Sequence, residues 1–329
     1  MVLGLGYVDV HHHSFPPAYT DFLAQLNSTP AAWPMQPWSV DIDDHFCEHA
    51  NISIAMLSYV PGGPSFEKAP EQAKNFTRSC NDWNAGLRDQ HPDRYGLFAG
   101  VSNLAFPDVA LDEIKYAFDV LGADGITLAT RYVRNDTSYY LGHESFVPVW
   151  DELNARKAVV FVHPVPSGDP TIVNNNLPPP MYDFPHETGR TAMDLISGPA
   201  NMIQEHAADC KIILSHAGGD LPYLIDRAAG EMSSGPPGVR LNKTRDEIWA
   251  DARHFYYDTA LSTSAMHIAA LSTLLGPRNI DHILFGTDFP PGGTEAIGEF
   301  TRQLESNMHV EHLRGNAIKL FPRLYGKAK

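Results

Sequence analysis

A chain of 329 residues, 43% apolar and 19% charged, has the composition of a folded protein, long enough for two ordinary domains or one large α/β barrel. With 24 basic against 39 acidic residues, its formal net charge of -15 argues against a nucleic-acid partner held through clustered cations, and no run approaches the roughly 18 apolar residues of a membrane span. Cys47, Cys80 and Cys210 are scattered and odd in number, and the first ten residues lack a basic n-region, so a reducing, cytoplasmic setting is expected.

Short β-branched runs recur along the chain, each followed by a loop and then a helical pattern. The runs fall at 7–10, 52–57, 95–101, 124–129, 158–162, 211–215, 255–259 and 282–286. Between them lie helical patterns at 67–90, 108–121, 145–156, 187–208, 219–230, 262–275 and 294–306. Several runs are almost continuously apolar, as parallel strands covered on both faces must be. Eight alternations without a linker predict a single α/β domain over 1–329, a (β/α)8 TIM barrel, with a doubly wound sheet as the other arrangement.

Two proline-rich stretches, 26–40 and 164–186, follow predicted strand ends. Proline denies them long helices or central strands, so in a barrel they become long loops at the C-terminal face, where they could wall a pocket with aromatic rings. Residues 231–253, Gly/Pro-rich and then polar and helical, make a third excursion. All three read as excursions within one domain.

Histidine placement is the most informative feature. His11 and His13 close the first strand in VDVHHHSFP, and period-2 alternation puts their side chains on one face while His12 points elsewhere. His163 ends AVVFVHP, His216 ends KIILSHAGG, and Asp288 follows in ILFGTDFP. Each ends a strand at the same face of a closed barrel, so side chains far apart in sequence can converge there. Imidazole nitrogens with one carboxylate suit Zn²⁺ or Mn²⁺ better than the all-oxygen set of Ca²⁺.

The ordered motifs VDVHHHSFPP, HPDRYGLFAGVSNL, LGADGITLAT, VPVWDELNARKAVVFVHP, YDFPHETGRTAMDLI, KIILSHAGGDLPYLIDR, FYYDTA, ILFGTDFP and RGNAIKLF span Asp9 to Phe321. In them the chain resembles the amidohydrolase-like, metal-dependent decarboxylases of the aminocarboxymuconate-semialdehyde decarboxylase type, above all the branch that acts on 6-methylsalicylate. The resemblance implies one divalent metal per chain, zinc or else manganese, ligated by His11, His13, His163 and Asp288, with no organic cofactor. It places His216 beside the reacting groups, Asp9 just beneath the histidine pair, and Glu187 near the pocket, where it orients a ligand or holds an arginine. It also implies a homodimer, in which Arg227 reaches the neighbouring subunit's pocket; a salt bridge on its own helix is the other role open to Arg227.

The strand DGITLATRY carries no lysine of the kind that becomes carboxylated and bridges two metals in many related hydrolases, which leaves a mononuclear site. Family members acting on aminocarboxymuconate semialdehyde carry an arginine before the second strand, whereas PAAWPMQPWSVDID has aromatics and none. Trp38, Tyr182 and Phe289 suggest instead an aromatic-sided slot for a small aromatic carboxylic acid. The expected reaction is nonoxidative loss of CO₂ from a 2-hydroxybenzoate, 6-methylsalicylate giving m-cresol. Asp288 is the expected proton donor, with metal-bound water helped by His216 as the other source. Orsellinate is the nearest alternative substrate, and hydrolysis of a lactone or related bond is the alternative chemistry.

Overall fold

The computed structural model describes residues 6–26, 37–59, 69–101, 103–165 and 183–324. Strand β1 (Tyr7–His13) lies parallel to β2 (Ile52–Ser58), and β3 (Tyr95–Gly100) and β4 (Gly125–Ala129) continue the sheet. After the short strands β5 (Arg131–Arg134) and β6 (Thr137–Tyr140), the sheet resumes through β7 (Val159–His163), β8 (Lys211–Leu214), β9 (Tyr256–Asp258) and β10 (Ile283–Leu284). Beyond β10 the chain bonds back to β1: Val10 N–H donates to Phe285 O, Asp288 N–H to His11 O, and His13 N–H to Phe289 O, at 2.8–3.0 Å. These bonds bring the last strand against the first, and the eight predicted strands form the (β/α)8 barrel.

Twelve helices accompany the strands among the described residues. They are α1 (Pro17–Leu26), α2 (Val40–His49), α3 (Pro70–Gln90), α4 (Pro107–Asp119), α5 (Val147–Ala155), α6 (Asp183–Ser197), α7 (Met202–Glu205), α8 (Leu221–Ser234), α9 (Arg245–His254), α10 (Ala265–Leu275), α11 (Thr294–Asn307) and α12 (Glu311–Leu320). Proline stands in the first turn of α3, α4, α5 and α8, where its fixed φ suits the helix and its missing N–H leaves nothing unpaired. The single helix predicted over 187–208 is two, because Gly198 and Pro199 interrupt it and Asn201 takes a left-handed turn at φ 48°. The predicted excursion 231–253 ends in α9, fixed by a Thr244/Glu247 capping box. Within 164–186, residues 166–182 lie outside the described part, and so does 27–36 of the first proline-rich stretch.

Alternation divides the core into two layers. Val8, Val10, Ile54, Met56, Phe98, Val159, Phe161, Ile213 and Leu284 fill the barrel, and Phe321 and Leu324, after α12, close its N-terminal end. A larger layer, including Leu57, Leu97, Ile126, Leu128, Val160, Val162, Ile212 and Leu214, is buried on the strands, most of it against the surrounding helices. The polar site therefore belongs at the opposite, C-terminal end, above the Phe98–Phe161 stack. No described helix is long and apolar enough to cross a membrane.

Candidate metal centre

The strand ends bring His11, His13, His163 and Asp288 together, each offering one ligand atom within 4.8 Å of the others, all buried. In β7 simple alternation suffices: Val159, Phe161 and His163 follow one another on the inner face. In β1 it does not. Asp9 pairs with Ala55 and His12 with Leu57, so three steps of β1 match two of β2, and this one-residue bulge reverses the facing of the strand. Val8 points inward before it, and within it Val10 and His11 both do, His11 lying 5.0 Å from the inner ring of Phe161. Gly286 makes room at the neighbouring strand end, since a Cβ there would lie 2.8 Å from His11 Cβ.

Each imidazole is oriented by its other nitrogen. His11 Nδ1 pairs with Asp258 Oδ2 at 2.8 Å, His13 Nδ1 with Ser58 Oγ at 3.2 Å, and His163 Nδ1 with the Pro164 carbonyl at 2.8 Å. That leaves Nε2 of each for the centre, the arrangement by which proteins fix the tautomer of a ligating histidine. His11 Nε2 and His13 Nε2 lie 3.3 and 3.2 Å from Asp288 Oδ1, within ion-pair range but not aligned for a hydrogen bond, so both are buried without a hydrogen-bond partner. Buried nitrogens left in this way, converging with a carboxylate, fit a divalent cation.

Electrostatics agrees with that fit. Burial opposes a charge on His11, but Asp258 and Asp288 outweigh it and raise its pKa to about 10. Burial, followed by the neighbouring His13 and His11, holds His163 well below the usual histidine range, and burial also lowers His13. Burial alone would push Asp288 up; the contacts with His11 and His13 hold it well below the usual carboxylate range. The site is thus a carboxylate with neutral imidazoles and one imidazole that two carboxylates keep cationic, a charge a metal ion can replace.

His216 lies outside the four grouped ligand atoms, although its ring is 4.9 Å from that of His11 and 6.0 Å from that of His163. It opens a left-handed turn (φ 53° at His216, 57° at Ala217) whose Gly219 could not carry a side chain, because a Cβ would meet the Pro185 carbonyl at 1.9 Å. His216 Nδ1 pairs with the Ala260 carbonyl at 3.2 Å, and Nε2 is buried without a partner. Burial, then His11, lowers its pKa, so the neutral ring presents a lone pair.

Asp258, at the end of β9, is the residue the sequence reading overlooked. Its Oδ2 holds His11, while its Oδ1 accepts from the backbone N–H groups of His216 (3.0 Å) and Ala260 (2.9 Å). One carboxylate thereby orients two of the site's histidines. An aspartate closing the apolar run FYYDT, at the same barrel end as the histidines, was the available signal.

The remaining predicted residues are dispersed. Asp9 lies under the pair, accepting from His11 N–H and from Thr287 N–H and Oγ1 and bonding His12. Glu187 holds an arginine, Arg131, at 3.2 Å and accepts from Tyr140 Oη at 2.9 Å. Of the three rings predicted to side an aromatic slot, Phe289 is turned away from the centre. Phe289 turns to the outer side of β1 and stacks on Phe46 at 3.8 Å, Trp38 packs edge-on against Trp83, and Tyr182 lies outside the described residues. Phe184, 6.2 Å from His163, is the described aromatic side chain that α6 brings to the centre. Arg227 projects from α8 with its side chain 77% exposed, paired with Glu231 at 3.2 Å.

Residues 8–323 match the amidohydrolase family model. The chain belongs to the amidohydrolase family. Across 96% of both chains it is 44% identical to a 6-methylsalicylic acid decarboxylase of Aspergillus aculeatus, and across 97% of both it is 42% identical to one of Penicillium expansum. Its fold is also that of a dihydroxybenzoic acid decarboxylase of Polaromonas sp., solved with bound manganese and the inhibitor 2-nitroresorcinol. The TM-score is 0.78 at 21% identity, covering 97% of this chain and 99% of the other.

Proposed function

We propose that this chain is a metal-dependent carboxy-lyase that removes CO₂ from a 2-hydroxybenzoate, with 6-methylsalicylate giving m-cresol. The observation that carries the reading is full-length similarity at 44% and 42% identity to two 6-methylsalicylic acid decarboxylases, in a chain whose strand ends gather a three-histidine, one-aspartate cluster. His11, His13, His163 and Asp288 would hold one ion, zinc by the nitrogen-rich donor set, with manganese the alternative. When bound, the ion supplies positive charge that orients the acid's oxygens and stabilises charge developing on them.

The protein's own groups then handle the proton. Loss of CO₂ requires a proton at the carboxyl-bearing ring carbon: ring π electrons form the new C–H bond, and the C–C bond electrons return to the ring as CO₂ departs, restoring aromaticity. Asp288 rests as a carboxylate, so it takes up a proton from solvent before it delivers one to the ring carbon. His216, neutral and with Nε2 free of protein partners, accepts a hydrogen bond from the substrate hydroxyl and holds the ring over Asp288. Phe184 contributes an apolar edge to the ring's site.

The domain is a single one, the setting cytoplasmic, and the assembly a homodimer in which the exposed Arg227 meets the partner's pocket. Product analysis with 6-methylsalicylate, salicylate, orsellinate and 2-methylbenzoate tests the chemistry. Loss of the 2-hydroxyl should cost far more turnover than loss of the 6-methyl, whose packing is worth only about 1–3 kcal/mol. Faster reaction of 2-methylbenzoate would overturn the role given to the hydroxyl.

A further inference from the structure

His12 stands between the two paired histidines yet takes no part in the cluster. It is fully buried, on the outer side of β1, and both ring nitrogens are engaged by carboxylates: Nδ1 with Asp9 Oδ2 at 2.9 Å and Nε2 with Asp43 Oδ1 at 2.5 Å. The chain of contacts continues both ways. Asp43 Oδ2 accepts from Tyr95 Oη at 2.6 Å, and Asp9 Oδ2 accepts from Thr287 Oγ1 at 2.5 Å. A direct His12–Asp43 bond of that length leaves no space for an ion between them, so these two and the adjacent Cys47 are not a second metal site.

Asp9 and His12 are the two paired positions that bracket the extra residue of the β1 bulge. Their side chains bond to each other across it, and Asp9 Oδ1 also accepts from the His11 N–H inside it at 3.1 Å. A strand without the bulge would carry His12 on the face of Val8 and Val10 and turn His11 and His13 out of the barrel. The same Asp9 holds Thr287 by its N–H and its hydroxyl, one residue before Asp288. We infer that His12 is a positioning residue: clamped by Asp9 and Asp43, it fixes the bulge that aims His11 and His13 inward, and through Asp9 and Thr287 it sets Asp288 against them. This rests on the proposed ligand set.

The test reads zinc affinity in folded protein, which a merely stabilising network would not move. The Zn²⁺ dissociation constant is measured by competition with a chromophoric chelator, well below the melting temperature of each variant. His12→Leu removes both contacts, Thr287→Val removes the hydroxyl link to Asp9, and His12→Asn restores a donor toward Asp9. His12→Leu and Thr287→Val should weaken zinc at least fivefold, and His12→Asn should recover to within threefold of wild type. A smaller effect in either of the first two, or an His12→Asn no better than a folded His12→Leu, overturns the inference; if His12→Leu does not fold, Thr287→Val decides. His163→Ala serves as the reference for a lost ligand. A wild-type protein that binds no zinc, or an His163→Ala that binds it normally, overturns the ligand set itself.

Discussion

Replacing Asp258 by asparagine changes one atom's chemistry at the point where two histidines meet. The substitution keeps the shape of the side chain, and the carbonyl oxygen of the new amide must stay on the Oδ1 side to accept from His216 N–H and Ala260 N–H. The amide NH₂ then occupies the Oδ2 position, 2.8 Å from His11 Nδ1. Two donors cannot share that contact, so His11 must accept at Nδ1 and carry its proton on Nε2, the atom needed for the metal. Loss of such a partner typically costs 10–100-fold in metal affinity, about 1.4–2.8 kcal/mol. Chelator competition with Zn²⁺ and circular dichroism on the same samples would show a folded barrel with weakened binding. A folded Asp258→Asn with wild-type affinity would refute the claim that Asp258 sets the His11 tautomer.

Other outcomes follow from the same geometry. His163→Ala should lose metal by elemental analysis while keeping the barrel, since it deletes a site ligand rather than a large core side chain; full metal occupancy would contradict its place in the set. His216→Ala should keep its metal and lose most turnover, and a parallel fall in metal content would make His216 a ligand instead. In metal-free protein His11 and His12 are raised from 6.5 to about 10 and about 9, so the stability their protons contribute is complete below pH 6.5 and is lost as pH rises through those values. Thermal melts with a chelator present should therefore show stability falling from pH 6.5 toward 10, and a steady rise would contradict the charged pairings with Asp258, Asp288, Asp9 and Asp43.

The eight barrel strands were legible because parallel strands buried on both faces read as apolar runs, and the convergence of His163 and Asp288 follows from where those runs end. What local pattern could not reveal is which way the His11/His13 pair faces, because alternation places them together and the bulge, fixed by tertiary contacts, chooses the side. Helix α2 was missed because its buried face, Asp43, Phe46 and Cys47, contains a carboxylate that looks solvent-bound until His12 and Tyr95 are seen to pair with it. The β5–β6 hairpin carried a readable signal in RYVRNDTSYY: Asn135 and Asp136 both take positive φ, 52° and 60°, as a two-residue hairpin turn requires. Phe289 lies outside the expected slot because Thr287 and Asp288 turn to opposite sides. Thr287 turns outward to Asp9 and Asp288 inward to the histidines, after which Phe289 is bonded beside His13 and stacks outside β1.

The most direct test is turnover of carboxyl-¹³C-labelled 6-methylsalicylate in D₂O by metal-loaded and chelator-stripped protein. Loaded protein should release ¹³CO₂ and m-cresol bearing one deuterium at the vacated ring carbon, and stripped protein should do neither until Zn²⁺ or Mn²⁺ is restored. Undiminished turnover by the stripped protein, or a ring-opened acid that retains its ¹³C, would contradict metal-dependent decarboxylation at this site.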